Sequence, residues 1–275
     1  MPGLIFDCDG VLADTEQHGH LPAFNATFEK FGLPMHWDVA TYAQKVKIGG
    51  GKERLASILT EEFVAEAGLP TDPEEQRDLI LQWHLAKTAV YTTLIDSGVV
   101  PARPGIARIV TEAHCAGWKL AVASTSAKTS VDAVLRHAVG ESLASEFLVF
   151  AGDIVPRKKP APDIYALAVS ELGLSVDDCI VIEDSEIGLR AATSAGLRTV
   201  ITVSGFTRKE NFSGASLVVS SLGDPAPGEQ STVLDDPSAL GRQPFVDLAL
   251  LEVILTTTRP HRTELVATPE LEQKK

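Results

Sequence analysis

Five short apolar runs, GLIFD (3–7), KLAVA (119–123), FLVFA (147–151), CIVIE (179–183) and TVITV (199–203), are separated by stretches with helical spacing, among them 128–139 and 163–172. Strands this short and this continuously apolar must be covered on both faces, and a parallel sheet wrapped by helices covers them. In such sheets ligands settle beyond the carboxyl ends of the strands. The residues at those ends are Asp7, Ser124 and the pair Glu183 and Asp184. Polar chemistry converges on one edge of an apolar layer.

Residues 17–97 read differently. Segments such as LPAFNATFEKFG, KERLASILTEEFVAEAG and EEQRDLILQWHLAKTAVYTTLID space their apolar side chains three and four apart and carry few strand signals. They predict a small helical cap, inserted directly after the first strand and set above the carboxyl edge, where it could open and close. VVPARPG (99–105) reads as the return hinge. The expected organisation is α/β: a Rossmann-like parallel sheet core (1–16 and 98–222) with helices on both faces, and an inserted helical cap (17–97). A C-terminal extension (223–275) has loop composition, one expected helix around FVDLALLEVIL (245–255) and a polar tail from about Arg259.

Asp and Glu number 37 against 24 Lys and Arg, a net charge of −13, so most of this surface would repel nucleic acid. An anionic ligand needs a locally basic pocket. Cys8, Cys115 and Cys179 are too few and too scattered for a disulfide framework or a cysteine metal site, which points to a reducing compartment. The longest apolar run, 245–255, is interrupted by acids and falls short of a membrane span, and no basic, apolar leader precedes Leu4.

LIFDCDGVLADTE (4–16) drives an apolar strand straight into Asp7 and Asp9, where unpaired carboxylates are costly. Two acids two positions apart at a strand end, followed by Gly10 where a turn can form, let one carboxylate attack while the other handles protons. A turn-capping acid pair would look the same in isolation. The longer pattern DxDGVLxDTE resembles the first motif of the haloacid dehalogenase superfamily. There the first Asp is a nucleophile that becomes an aspartyl phosphate and the second is a general acid and base. Ser124 after KLAVA, Lys159 in RKKPAPDIY, and Glu183 with Asp184 in CIVIEDSEIGL resemble the second, third and fourth motifs, in order. Ser124 alone could be a helix cap, Lys159 a solvated turn, and the acid pair a cap for the helix starting near Glu186.

The resemblance assigns Ser124 a hydroxyl that donates to the transferring phosphoryl group, and Lys159 the role of holding that group against the nucleophile. It implies Mg²⁺, a hard cation suited to oxygen ligands. Its ligands would be the Asp7 side chain, the Asp9 carbonyl and Asp184, with Glu183 close behind.

KVKIGGGKER (45–54) gathers four cations beside three glycines in an acidic chain, and reads as a second phosphate grip or as a flexible hinge with solvated lysines. No Ser or Thr follows Lys52 and no strand leads in, so it is not a Walker A loop. His84 and Lys87 share a helix face at a spacing of three. FDCDGVLADTE, FNATF, IGGGKER, HLAKT, RPGIA, GDIVPRKKPAPDIY and IEDSEIGLRAA together resemble the CbbY family, a plant, algal and bacterial branch of the β-phosphoglucomutase-like dehalogenases, over roughly residues 3–220. The resemblance implies hydrolysis of xylulose-1,5-bisphosphate, a Rubisco inhibitor, to xylulose 5-phosphate. Glu16, Gly50, Gly51, Lys52 and Arg54 would then contact substrate from the cap side. His84 and Lys87, with Ser124, Thr125 and Ser126, would complete the contacts.

Lys52 and Arg54 would grip the distal phosphate. His18 and His20 lie where mutase relatives use a His, but a shift of one position keeps them out of the expected site. A β-phosphoglucomutase would use the same Asp7 and Asp9, and a non-catalytic sugar phosphate binding protein would lack one of the motif acids. The likeness to plant and algal versions favours the chloroplast stroma, with the bacterial cytoplasm as alternative, and a monomer linked to Rubisco by function rather than by binding.

Overall fold

The computed structural model describes residues 1–241 and 243–257. Seven strands form one sheet: β1 (Gly3–Phe6), β2 (Lys119–Ser124), β3 (Phe147–Ala151), β4 (Cys179–Glu183), β5 (Arg198–Thr202), β6 (Leu217–Val219) and β7 (Val233–Asp235). Their spatial order is β3-β2-β1-β4-β5-β6-β7, parallel throughout except for the antiparallel β6–β7 pair. Each predicted strand is present. β6 and β7 were not foreseen, because three residues are too few for a period to show and β7 lies in a stretch of loop composition.

The strands bury both faces, with a period of two. Leu4, Phe6, Leu120, Val122, Ile180 and Ile182 join one apolar cluster; Ile5, Ala121, Ala123 and Val181 join the other. Eleven helices are labelled in chain order. Along the chain, α1 (Leu21–Lys30), α2 (Val39–Lys45), α3 (Gly51–Ala56), α4 (Glu61–Glu66) and α5 (Pro73–Asp96) come between β1 and β2. Around the sheet lie α6 (Ile106–Cys115), α7 (Lys128–Val139), α8 (Glu141–Ala144), α9 (Asp163–Leu172), α10 (Glu186–Ser194) and α11 (Leu248–Thr256).

Helices α1 to α5 bury a core of their own, in which Trp37 packs 4.9 Å from Phe24 and 4.8 Å from Phe28, with Leu55 and Trp83 alongside. Two adjacent crossings join this unit to the sheet: Asp14 N–H donates to the Pro101 carbonyl and Arg103 N–H to Leu12, both at 3.0 Å. Both crossings follow closely on the end of β1.

The segment after Gly223 packs more tightly than its composition suggests. Arg108 donates to Asp224 at 3.1 Å, to the Gly223 carbonyl at 2.7 Å and to the Val246 carbonyl at 2.8 Å, and lies 4.8 Å from the Phe245 ring centre. α11, capped by Asp247, buries Leu251 and Ile254 in the core. The tail expected from about Arg259 lies outside the described residues. Among those described, no helix is long and apolar enough to cross a membrane.

Candidate active site

Beyond β1, Asp7 N–H still donates to the Ile182 carbonyl at 2.9 Å, so the strand ladder fixes the Asp7 backbone. One Asp7 carboxylate oxygen accepts from Lys159 Nζ at 2.8 Å. The same ammonium donates to Glu183 Oε1 at 2.7 Å and to the Tyr165 hydroxyl at 3.0 Å, and Tyr165 in turn donates to Glu183 at 2.8 Å. Burial depresses the lysine, but Asp7 and Glu183 prevail and hold its pKa well above the usual value. Lys159 is a permanent cation beside the expected nucleophile.

Glu183 is fully occupied. Its other oxygen takes the N–H groups of Asp184 and Ser185 at 2.9 and 3.2 Å, and the Ser185 hydroxyl at 3.2 Å. The carboxylate lies flat against α10, where a Cβ on Gly188 would sit 1.8 Å from Oε1. Glu183, expected among the metal-site acids, stands in the cluster with Asp7 and Asp184 and also orients Lys159.

Asp7, Glu183 and Asp184 bring their oxygens within 4.8 Å of one another. Burial, then Glu183 and Asp7, push the Asp184 carboxyl well above its usual range, and burial raises Asp7 to about 7 against the pull of Lys159. Two buried acids and the half-buried Asp7 around one lysine are short of positive charge, which a divalent cation would supply. Asp184 approaches the first turn so closely that a Cβ on Gly10, at φ +74°, would lie 2.2 Å from its Oδ2. Asp7 and Asp184, with Glu183 close behind, are the side chains that fit the ion.

Asp9 is held from several directions. Thr15 Oγ1 donates to Oδ1 at 2.7 Å, the Tyr91 hydroxyl approaches at 3.3 Å, and Ser126 donates to Oδ2. His20 Nε2 lies 2.9 Å from Oδ1; because a carboxylate only accepts, Nε2 is the donor and Nδ1 accepts from Lys87 at 2.5 Å. Burial works to raise the Asp9 carboxyl, but His20 and these hydroxyls leave it well below the ordinary range. Lys87 is buried over the rings of Phe24 and Tyr91, and burial lowers it to about 7. His20, which sequence reasoning set aside, thus sits between two expected site residues.

A cavity between cap and sheet is lined by Asp7, Asp9, Ser124, Thr125, Ser126 and Lys159 from the core. Glu16, His20, Gly50, Gly51, Arg54, His84 and Lys87 line it from the cap side. Two expected grips differ. Arg54 spends all five of its N–H groups inside the protein: on both oxygens of Glu16, the Tyr42 hydroxyl, and the carbonyls of Val46 and Ile48. Tyr42 also donates to Glu16. A guanidinium has five donors, so Arg54 has none left for a phosphate and instead fixes Glu16. Lys52 does not line the cavity; it turns outward and donates to Asp153.

His84 does line it, and burial followed by the nearby charges of Lys87 and Lys52 lowers its pKa to about 4. Tyr165, Tyr91 and Tyr42 escaped sequence reasoning because a buried tyrosine in a helical pattern reads as core; the hydroxyl's partner lies far away along the chain. Ser204, Thr207 and Glu210, on the loop after β5, also line the cavity and carry no spacing signal at all.

A family model for haloacid dehalogenase-like hydrolases matches residues 1–196. A CBBY-like protein of Arabidopsis thaliana is 44% identical over 222 residues, covering 81% of this chain and 69% of that one. The plasmid-encoded CbbY of Cupriavidus necator is 43% identical, covering 82% and 87% of the two chains. CbbY from Rhodobacter sphaeroides, solved as a mutant with xylulose-(1,5)bisphosphate, superposes with a TM-score of 0.72 at 39% identity, over 80% of this chain and 95% of that one. The aligned relatives and the strand-end acids agree, and the chain belongs to the CbbY family of haloacid dehalogenase-like hydrolases.

Proposed function

We propose that this hydrolase is a magnesium-dependent phosphatase of xylulose-1,5-bisphosphate, releasing phosphate and xylulose 5-phosphate through a phosphoryl ester of Asp7. The observation that carries the reading is the contrast between Asp7 and Asp9 on one strand end. Asp7 is gripped by a lysine and faces the cavity; Asp9 is wired through His20 to Lys87, a buried ammonium that burial lowers to about 7.

Lys159 and the Ser124 hydroxyl orient the scissile phosphoryl group in line with Asp7. Bound at Asp7, Asp184 and the Asp9 carbonyl, magnesium would neutralise charge on the transferring group. Asp7 attacks phosphorus, and the bond from phosphorus to the sugar oxygen breaks. That oxygen takes a proton from Asp9. Lys87 supplies the proton: it passes one to His20 Nδ1 as Nε2–H moves to Asp9, leaving a neutral lysine and imidazole. Deprotonated again, Asp9 takes a proton from water as that water attacks phosphorus and the bond from phosphorus to Asp7 breaks, freeing phosphate; the proton then passes from Asp9 to His20 Nε2 as Nδ1–H returns to Lys87, restoring the starting state. Positioning and charge stabilisation dominate such transfers.

Glu16, His84 and the amides of Gly50 and Gly51 meet the far end of the sugar bisphosphate. In this reading the enzyme clears a Rubisco inhibitor without binding Rubisco, in the chloroplast stroma, the bacterial cytoplasm being the alternative setting. The test is phosphate release from xylulose-1,5-bisphosphate and from β-glucose 1-phosphate, with magnesium present or chelated. Release from the first alone, abolished by chelation, is expected; a mutase would convert the second without releasing phosphate.

A further inference from the structure

The glycine loop of the cap meets the core at a ring of four alternating charges. Lys52, directly after the glycines, donates to Asp153 on the segment that follows β3. Lys158, on that same segment, reaches Asp153 at 3.0 Å and Glu53 at 2.5 Å. Two members belong to the cap and two to the core. The loop is pressed close: a Cβ on Gly50 would lie 3.0 Å from Lys158 Nζ, and one on Gly49 3.5 Å from the Lys159 carbonyl.

None of these four side chains lines the cavity, although Gly51 and Arg54 on either side of Lys52 and Glu53 do. Their charges are nonetheless felt inside. The proton affinity of His84 is lowered first by burial and then by Lys87, Lys52 and Lys158, with Glu53 opposing. A phosphate entering beside His84 would therefore face three ammonium groups that differ in freedom. Lys87 is pinned between two rings and His20, and Lys158 is held by two carboxylates. Lys52 has Asp153, which is 56% exposed and so a weak partner, and it swings on a four-carbon stem one residue from the cavity wall.

We propose that Asp153 restrains the distal grip: it holds Lys52 out of the cavity in the free enzyme and gives it up when a distal phosphate enters, so that part of the phosphate's binding energy goes into breaking this pair. A phosphate dianion draws the ammonium inward. A distal carboxylate, offering Lys52 no more than Asp153 already does, leaves it where it is. Lys158 and Glu53 keep cap and core joined when Lys52 leaves. This rests on the bisphosphate reading above.

The test measures dissociation constants by calorimetry, with magnesium present, for pentane-1,5-bisphosphonate and 6-phosphonohexanoate. Wild type, Asp153→Asn, Asp153→Ala, Lys52→Met and the double variant D153N/K52M are compared. Wild type should prefer the bisphosphonate. Each Asp153 variant should tighten binding of the bisphosphonate by about two- to fivefold, the scale of an exposed ion pair, and binding of the carboxylate ligand by no more than that. The change should vanish when Lys52 is Met. Unchanged constants in both Asp153 variants, a tightening that persists without Lys52, or failure of wild type to bind either ligand overturns the assignment. If these shifts appear but xylulose-1,5-bisphosphate is not hydrolysed, the substrate reading falls and the role of Asp153 stands.

Discussion

Gly188→Ala pits two opposite expectations against each other. Gly188 lies inside α10, where exchanging Gly for Ala ordinarily stabilises a helix by about 1 kcal/mol. Here the added Cβ would sit 1.8 Å from Glu183 Oε1, 2.0 Å from Cδ and 2.2 Å from Oε2. Glu183 is completely buried and cannot rotate away without abandoning Lys159, Tyr165 and two backbone N–H groups. Breaking a buried ion pair by displacing one partner costs about 3–5 kcal/mol, so the clash outweighs the propensity gain. That is a large share of the roughly 5–15 kcal/mol that holds a typical protein folded. Urea unfolding followed by circular dichroism should show a fall of this size. Turnover should drop about 10–100-fold as Lys159 loses its orienting carboxylate. Gly205→Ala, whose Cβ meets nothing within 4 Å, is the control and should change stability by less than about 0.5 kcal/mol. A Gly188→Ala protein as stable and active as wild type would refute the claim that α10 and Glu183 are in mutual contact through the missing methyl.

Lys87→Met should change the pH dependence of stability. Folding lowers the Lys87 pKa to about 7, so between there and the unfolded value of 10.5 the unfolded chain holds more protons and wild-type stability rises with pH, by at most about 1.4 kcal/mol per unit. Below pH 7 the full penalty of burying the charge is present; denaturation curves at pH 7 and 9 should show that the Met variant lacks this slope. Tyr165→Phe removes one donor from Glu183 and one acceptor from Lys159, and should cost about 1–2 kcal/mol with a several-fold loss in kcat, measured by unfolding and by phosphate release. Arg108→Ala, at the anchor of the C-terminal segment, should lower stability by about 2–3 kcal/mol in urea while leaving KM unchanged. Magnesium at a hundredfold excess over its Kd should stabilise the protein by about 2.7 kcal/mol, seen as a raised Tm, and Asp184→Asn should abolish the rise.

The central sheet was legible because its strands are apolar on both faces: Leu4 and Ile5 go to opposite clusters, yet both are hydrophobic. The acids ending β1 and β4 stood out against those runs for the same reason. What the sequence hid was decided by distance. That Glu183 also holds Lys159 and Tyr165 does not show in its motif, and Arg54 reads as a phosphate grip until Glu16, 38 residues earlier, takes two of its N–H groups. Lys52 similarly meets a partner 101 residues away. A charge beside glycines says that an anion is wanted, but not whether it comes from the substrate or from the protein.

The same distinction separates the two catalytic acids. Lys159, Tyr165, Glu183 and Asp184, the groups that set Asp7, all follow the second hinge crossing and belong to the sheet unit. Asp9 draws on Thr15 at the hinge, His20 and Tyr91 from the inserted segment, and Ser126 beyond β2. Within the proposed mechanism, movement of the cap leaves the nucleophile set and unsets the proton handler, because only Asp9 loses partners. An enzyme so divided can bind a phosphoryl group with the cap open but cannot protonate a leaving oxygen until His20 and Lys87 arrive.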